Sequence, residues 1–252
     1  LDAVHVHLRW PTWMRVLGKS APFRTQGWDM SSERFMCMWG PVIHRWFHGP
    51  LDLNRFDVVH ILTQGNARAI IKARRELPRV KFAVNADATA IQQSDAFGFS
   101  RTSKAYSIAQ ERRIFDAAHL VATRNAWAAE SLRDDYGLPE SKIHIASNSV
   151  PLPERHRWDG AERETSALPR MIFVGSWVRK GGDILLRAHQ ERFADRAELH
   201  IFSKVPSPDR SAKNVVWHGL VPREELLDRW LPSMDLFVLP SRDDMLPWAA
   251  LE

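Results

Sequence analysis

The sequence is poor in cysteine, with Cys37 alone among its 252 residues. A single thiol excludes a disulfide within the chain and any zinc cluster built from several cysteines. Such sparse use of cysteine is typical of the reducing cytoplasm, where disulfides are rare. We therefore expect a cytoplasmic protein.

Long apolar runs are also lacking. No stretch approaches the roughly eighteen consecutive apolar residues that a membrane-spanning helix needs, and no secretory signal is visible. The sequence starts on Leu rather than Met and stops inside a helical pattern, so we expect a chain that is incomplete at both ends. With 44% apolar and 26% charged residues, it has the composition of a soluble globular protein with one large or two modest α/β domains.

Positive charge and tryptophan, by contrast, are plentiful. The net charge of +5 favours anionic partners such as phosphorylated ligands or acidic lipid, while no nucleic-acid-binding module is recognisable and we expect no such partner. Basic residues also outnumber acidic ones in the first fifty residues, which is compatible with peripheral membrane contact. The alternative, which we favour, is that the tryptophans of this segment are core residues; they are Trp10, Trp13, Trp28, Trp39 and Trp46.

Short apolar, β-branched runs alternate along the chain with amphipathic segments of helical period. The runs are typical of buried strands and cover 3–8, 56–62, 80–85, 119–123, 142–147, 170–176, 197–203, 214–219 and 235–241. The amphipathic segments cover 66–77, 104–118, 125–137, 181–194 and 223–233. This alternation predicts parallel sheets covered by helices on both faces.

The stretch 148–170 breaks this rhythm, because it is rich in proline and charge and has no sustained apolar period. We predict a domain at 1–150, a linker at 151–168 and a second domain at 169–252. Each domain is expected to be a doubly wound α/β sheet. Ligands of such sheets bind beyond the carboxyl ends of the strands, and two such domains would form a cleft between them.

The turn after the strand predicted at 170–176 is the strongest candidate site. Arg179 and Lys180 lie in a short loop, and Gly181-Gly182 opens the next helix. Glycine lets backbone N–H groups approach a ligand, a helix start favours negative charge, and two cations suit a diphosphate. The same residues also fit a solvated turn with exposed basic side chains, so the motif by itself leaves both interpretations open.

A second candidate site follows the strand predicted at 235–241. Ser241, Asp243 and Asp244 come at its carboxyl end, and Glu252 lies within the following helical pattern. Because both loops belong to one domain, they could face one ligand, with cations for its phosphates and carboxylates for its hydroxyls. The alternative is that Asp243 or Asp244 caps the helix and that Glu252 is solvated.

From about Phe56 onward the chain resembles the family-4 retaining glycosyltransferases. The similarity is densest in "FVGSWVRKGGDILLRA" and in the run that ends "DLFVLPSRDDMLPWAALE", and it includes "FDVVHILTQG" and the stretch ending in Asn148-Ser149-Val150. The resemblance implies the GT-B architecture, in which two Rossmann-like, doubly wound domains face a cleft. It also implies that the C-terminal domain is truncated here, since the family pattern continues beyond Glu252.

The resemblance assigns roles to individual residues. The two acids of the family's E-x₇-E signature fall on Asp244, near the donor sugar, and on Glu252, at the nucleotide ribose. Arg179 and Lys180 match the residues that hold the donor diphosphate, and Ser241 matches a serine beside the donor. The implied catalytic residues are Arg179, Lys180 and Asp244, and the implied donor-binding residues are Gly175, Gly181, Ser241, Asp244 and Glu252.

The implied activity is retaining transfer of a sugar from a nucleoside-diphosphate sugar to a glycan or lipid-linked acceptor. It needs no metal or other cofactor, because the leaving phosphate takes the acceptor proton. The family's habit places such an enzyme in polysaccharide biosynthesis, in the cytoplasm or at the inner face of the membrane. Two alternatives stay open: a GT-B nucleotide-sugar epimerase and a non-catalytic nucleotide-sugar-binding relative.

Histidines of the first domain give weaker signals. His60 ends the strand predicted at 56–62 and we interpret it as structural, while Asn85 and Asp87 stand where the resembled family has a histidine loop. His44 and His48 would share a helix face, as zinc ligands can. The sequence shows no third ligand beside them, so we expect an interfacial helix and no metal.

Overall fold

The computed structural model describes residues 3–6, 12–13, 16, 31–147, 168–205, 211–245 and 247–251. The chain divides into two compact units, Leu1–Asn148 and Ser149–Glu252. Each unit contains a four-stranded sheet in which every pairing is parallel. The α/β class and the parallel sheets are therefore as the alternation predicted. The linker predicted at 151–168 lies, apart from Leu168, outside the described residues.

The sheet of the first unit has the strand order β1-β2-β3-β4. Its strands are Val58–Ile61, Lys81–Asn85, Leu120–Thr123 and Ile143–Ile145. From residue 31 onward its described α-helices, α1 to α5, are Ser31–Phe47, Ile70–Glu76, Ala90–Phe97, Ala105–Ala117 and Ala126–Asp134. Shorter 3₁₀ segments are Leu53–Arg55, Gln64–Ala69 and Glu140–Lys142.

The prediction of a strand at 3–8 is wrong for residues 3–6, the part of this range that the structure describes. Residues 3–6 pair with no strand in the described chain, and the side chains of Val4 and Val6 are 68% and 47% exposed. A strand is stable only when a neighbour satisfies its backbone N–H and C=O groups and covers its apolar face. The apolar alternation satisfied neither condition here.

Helix α1 carries a proline in its interior, Pro41. Proline has no N–H, so the carbonyl of Cys37, four residues earlier, loses its usual helical donor. The Arg68 guanidinium supplies a replacement, because its Nη1 donates to the carbonyl oxygens of Met36 and Cys37 at 3.3 Å each. The helix thereby continues through the proline, and Arg68 is fixed against it.

One tryptophan of α1, Trp39, is part of the core of the first unit. Trp39 is 1% exposed and packs in a cluster with Ile70, Phe82 and Ile114. The core interpretation is therefore correct for Trp39. Trp13 is exposed, and Trp10 and Trp28 lie outside the described residues.

The sheet of the second unit has the strand order β7-β6-β5-β8. In chain order β5 to β8 are Arg170–Val174, Glu198–Phe202, Val215–Trp217 and Leu236–Phe237. Helix α6 is Gly182–Arg192, α7 is Arg223–Glu225 and α8 is Trp248–Leu251. The chain after α7 forms a π-helix at Leu226–Trp230 and a 3₁₀ turn at Leu231–Ser233.

Strand β5 is covered on both of its faces. Phe173 belongs to an apolar cluster with Leu199 and Ile201, whereas Ile172 belongs to a second cluster with Met234. Successive strand residues point to opposite faces, so two clusters on alternate residues require helices or loops on both sides of the sheet. Among the described residues of either unit, no helix is both long and apolar enough to cross a bilayer.

Candidate functional site

Two loops leave the same edge of the second sheet. Strands β5 and β8 pair in parallel, with Met171 opposite Leu236 and Ile172 opposite Phe237, so the loops that follow them start side by side. We call residues 175–181 the β5 loop and residues 240–245 the β8 loop. They are the two candidate sites predicted from the sequence, and the carboxyl edge of a parallel sheet is where such folds bind ligands.

Glycine allows the two loops to touch. Gly181 has a φ of +77°, and a Cβ atom there would lie 1.9 Å from the carbonyl oxygen of Pro240 in the β8 loop. The N–H of Gly181 donates to the Val178 carbonyl at 3.1 Å, within its own turn. Gly175 likewise leaves room for the Lys180 side chain, whose Cγ would be 2.9 Å from an added Cβ. Gly181 thus permits contact between the two loops, and Gly175 permits close packing of Lys180 within the β5 loop.

Arg242 of the β8 loop is hydrogen-bonded to the β5 loop and to the start of α6. Its guanidinium donates to both carboxylate oxygens of Asp183 at 2.6 Å each, and Nη1 also donates to the Val178 carbonyl at 2.6 Å. The guanidinium lowers the pKa of Asp183, and backbone N–H groups at the helix start lower it further. A bidentate pair of this kind fixes orientation as well as charge. The Arg242 backbone N–H also donates to the Arg179 carbonyl, at 3.0 Å.

The pair formed by Asp183 and Arg242 was not identified from the sequence. Both residues lie inside the motifs of the two predicted sites, one at the start of a predicted helix and the other after a Pro-Ser turn. An acid in the first turn of a helix is a recognisable signal. Its partner could be found only by knowing that β8 is the neighbour of β5.

Lys180 is the buried cation of the β5 loop. Its ammonium group forms an ion pair with the Asp244 carboxylate, and the two side chains are only 11% and 12% exposed. Burial and the neighbouring Arg179 guanidinium lower the pKa of Lys180, and the Asp243 carboxylate opposes this effect. A solvated turn therefore does not describe Lys180. Arg179 is exposed and donates from Nη1 to the backbone carbonyl of Asp243 at 2.9 Å.

Ser241 has a buried hydroxyl with no hydrogen-bond partner among the described residues. A buried polar atom left unpaired costs about 1–3 kcal/mol, and native proteins contain few of them. The hydroxyl thus remains available to a polar ligand at this edge. Glu252 lies outside the described residues.

The first unit has its own polar cluster at the carboxyl edge of its sheet. His60 at the end of β1 is hydrogen-bonded to the Asn85 side chain at the end of β2, with 3.0 Å between Nε2 and Oδ1. Arg124, just after β3, donates from Nε to the Asp87 carboxylate at 2.6 Å. His60 is exposed, so its role as a purely structural residue stays a prediction.

Comparison with known proteins gives matches in sequence and in fold. Residues 168–252 match the family model described as "Glycosyl transferases group 1". A solved structure titled "lipopolysaccharide outer core galactosyltransferase WaaB apo form" is similar with a TM-score of 0.55 and 14% identity, and the match covers 88% of this chain and 58% of that one. No curated protein has a sequence that matches significantly.

Two further structures extend the likeness in fold. One is titled "OtsA apo structure", with a TM-score of 0.62, 8% identity and coverage of 87% of this chain and 59% of that one. The other is Arabidopsis thaliana UGT89C1 complexed with quercetin, with a TM-score of 0.50, 10% identity and coverage of 92% and 57%. This chain therefore spans under two thirds of the length of each of these structures.

At such low identity the structures establish the fold alone. The family match covers both loops at the carboxyl edge of the second sheet, from before the β5 loop to the end of the chain. Residues 168–252 thus carry the pattern of the group 1 glycosyl transferases, and the fold is that of GT-B glycosyltransferases, which confirms the coarser part of the resemblance. Membership of family 4 and a retaining mechanism stay predictions.

Proposed function

We propose that the protein is a glycosyltransferase that moves a sugar from a nucleoside-diphosphate sugar to an acceptor hydroxyl. One observation carries the proposal: the basic β5 loop and the acidic β8 loop interlock at the carboxyl ends of neighbouring strands, within the stretch that matches the group 1 family. The contact brings together the cations and the carboxylates that a donor of this class needs. Gly181 allows the two loops to approach, and Gly175 leaves room for the Lys180 side chain.

In this proposal the donor diphosphate contacts Arg179 and Lys180. Cations aimed at the charge that develops on a leaving group, in a site with little water, each accelerate a reaction by about 10²–10³-fold. Asp244 and the Ser241 hydroxyl serve the donor sugar. Glu252 is proposed to bind the nucleotide ribose, on the strength of its place in the family signature.

We further propose that transfer is retaining and independent of metal and other cofactors, as in the resembled family. The bond from the anomeric carbon to the diphosphate breaks, the bond to the acceptor oxygen forms, and the acceptor proton passes to the leaving phosphate oxygen. No carboxylate nucleophile is needed, unlike in retaining glycosidases, whose two carboxyl groups lie about 5–5.5 Å apart. The protein then contributes cations and positioning.

The acceptor is proposed to be a glycan or a lipid-linked glycan, with a place in polysaccharide biosynthesis on the cytoplasmic side. The net charge of +5 supports contact with anionic lipid at the inner face of a membrane. Co-sedimentation with anionic vesicles at moderate salt checks the membrane contact. An absence of binding there would limit the proposal to an acceptor free in solution.

Substitution of Lys180 tests the donor site. We expect Lys180→Ala to lower nucleoside-diphosphate release from UDP-, GDP- or ADP-sugars in the presence of acceptor by at least about 10²-fold, because the cation that faces the leaving group is lost. Lys213→Ala is the matched control. Lys213 lies in the same unit just before β7, at the amino edge of the sheet, and its ammonium group pairs with the exposed Asp195. The substitution therefore removes a lysine charge far from the two loops.

The products of the same assay separate the alternatives. Nucleoside-diphosphate release with a glycosylated acceptor supports a transferase, isomerised sugar supports an epimerase, and donor binding without product supports a non-catalytic relative. Circular dichroism of each variant shows whether the fold is intact. A folded Lys180→Ala variant with the turnover of Lys213→Ala would overturn the assignment of Lys180.

A further inference from the structure

Three potential metal ligands converge on the outer side of the first unit. His44 and His48 lie one turn apart on α1, so their side chains share a face of the helix. Glu76 is the last residue of α2 and reaches the same point. The sequence alone indicated only the histidine pair, because Glu76 is 28 positions away from His48. The packing of α1 against α2 brings Glu76 beside the two histidines.

The geometry of the cluster is that of side chains aimed at one position. The Nε2 atoms of His44 and His48 lie 2.6 Å and 2.7 Å from the same carboxylate oxygen of Glu76. The imidazole rings are tilted by 59° with their centroids 4.9 Å apart. One ligand atom from each of the three residues lies within 4.8 Å of the other two.

Little movement would turn this cluster into a coordination sphere. Zinc bonds to imidazole nitrogen and carboxylate oxygen are about 2.0–2.2 Å long, so tetrahedral ligand atoms lie about 3.3 Å apart. The nitrogen-to-oxygen separations must therefore open by well under 1 Å, which rotation of these partly exposed side chains can supply. The two histidine N–H donors would be replaced by bonds to one metal ion.

The surrounding charge decides which class of cation fits. Lys72 lies 3.5 Å from the other oxygen of Glu76, and Arg45, Arg68 and Arg113 line the cavity of about 690 Å³ that His44 and His48 also line. A hard cation held by charge alone, such as Mg²⁺ or Ca²⁺, is disfavoured there and takes oxygen ligands. Imidazole nitrogens bind zinc-class transition metals through coordinate bonds.

We propose that His44, His48 and Glu76 form a three-ligand site for a divalent transition metal of the zinc class. Three protein ligands leave a fourth position for water or an anion. The lysine and the three arginines around the cavity would stabilise an anion at that position. None of these residues belongs to the proposed donor site, so the metal-independent transfer described above is unaffected by this proposal.

The test uses the full chain without a polyhistidine tag, stripped of metal by a chelator. Calorimetric titration with Zn²⁺ is expected to show one equivalent bound, and Co²⁺ is expected to give the visible absorption of low-coordinate cobalt. Mg²⁺ should produce neither signal. We expect His44→Ala and His48→Ala each to weaken Zn²⁺ binding beyond the roughly 10–100-fold that loss of an outer-shell partner costs.

Two more variants separate a metal site from a plain ion-pair cluster. Glu76→Gln keeps the size and a hydrogen-bond acceptor but removes the anionic ligand, so binding of Zn²⁺ should be lost while circular dichroism is unchanged. His144→Ala, at an exposed histidine on β4 of the same unit, should bind Zn²⁺ as the unaltered chain does. The proposal is overturned if the unaltered chain binds no stoichiometric Zn²⁺, or if the three ligand variants bind it as His144→Ala does.

Discussion

At the scale of single residues, Glu111 shows how burial changes the pKa of a carboxyl group. The carboxyl group is fully enclosed in the first unit, where it accepts hydrogen bonds from the Tyr136 hydroxyl, the Ala90 N–H at 2.8 Å and the Gln64 amide at 3.2 Å. Burial raises the pKa of Glu111 to about 7, although these donors oppose the rise. Loss of solvation disfavours the charged form by more than the hydrogen bonds favour it.

This raised pKa predicts that the first unit loses stability as pH rises. Between pH 4.5 and about 7 the folded state keeps a proton on Glu111 that the unfolded state releases, so the free energy of unfolding falls with increasing pH. A rise in pKa from 4.5 to about 7 corresponds to a loss on the order of 3 kcal/mol. We expect Glu111→Gln to flatten this slope in urea unfolding measured from pH 5 to 8.

The control for this prediction is Glu140→Gln, at an exposed glutamate of the same unit. It should keep the slope of the unaltered chain, because its carboxyl group stays in water in both states. Parallel stability curves for Glu111→Gln and the unaltered chain would contradict the prediction. The comparison concerns slopes, so a uniform shift in stability does not affect it.

Residue types and strand ends were enough to predict Arg179, Lys180, Ser241 and Asp244 as candidate site residues. They were not enough to predict that Lys180 pairs with Asp244, because that contact depends on which strand lies beside β5. Glu76 was missed beside the histidine pair because it reaches them only through the packing of α2 against α1. A short stretch of sequence can indicate which residues are suited to bind a ligand. Which distant residues contact each other depends on the fold.

At the scale of elements, the junction between the β5 loop and α6 depends on an absent side chain. Gly181 has φ and ψ of 77° and 24°, and Gly98 at the end of α3 has almost the same values, 70° and 24°. A Cβ at Gly98 would meet nothing within 4 Å, but one at Gly181 would overlap the Pro240 carbonyl. A side chain at Gly98 would thus cause backbone strain alone, whereas one at Gly181 would cause the same strain and a steric clash.

Alanine at these two positions is predicted to have different costs. Gly98→Ala should lower the free energy of unfolding by about 1–2 kcal/mol, the cost of a left-handed conformation with a side chain. Gly181→Ala should cost more in urea unfolding, and it should weaken nucleoside-diphosphate binding because the two loops are forced apart. Equal costs, with binding intact in both variants, would contradict the structural role given to Gly181.

Most elements were predicted from period and composition, and the exceptions have identifiable causes. The segment 223–233 was expected to be one helix, but Pro232 cannot donate to the carbonyl of Asp228 and the chain passes through π and 3₁₀ turns instead. Helix α3 was missed, although Thr89 and Gln92 form a capping box at its start. The segment is short, and its weak apolar period hid the signal.

At the scale of the whole molecule, the chain has separate cores for its two units. Phe82 lies in the core of the first unit and Phe173 in that of the second, and both are fully buried. The sequence predicted both sheets, because each strand run and its flanking helix lie close together in the chain.

Replacing either phenylalanine by alanine, in two separate variants, should destabilise mainly the unit that contains it. Phe82→Ala and Phe173→Ala are each expected to cost about 3–5 kcal/mol through lost burial and the cavity left behind. Hydrogen exchange followed by mass spectrometry should show faster exchange in 31–147 for the first variant and in 168–251 for the second. Equal acceleration across both ranges in either variant would contradict the independence of the two cores.

The ion pair between Lys180 and Asp244 has a thermodynamic consequence for the proposed reaction. The two interlocked loops and the start of α6 carry as many acids as bases, namely Asp183, Asp243 and Asp244 against Arg179, Lys180 and Arg242. A diphosphate therefore enters a region already balanced in charge, and it must take Lys180 from its internal partner. The same exchange frees the Asp244 carboxylate for sugar hydroxyls. Under the proposed function, the phosphate and sugar halves of a donor thus bind cooperatively, and the intact donor is favoured over either fragment.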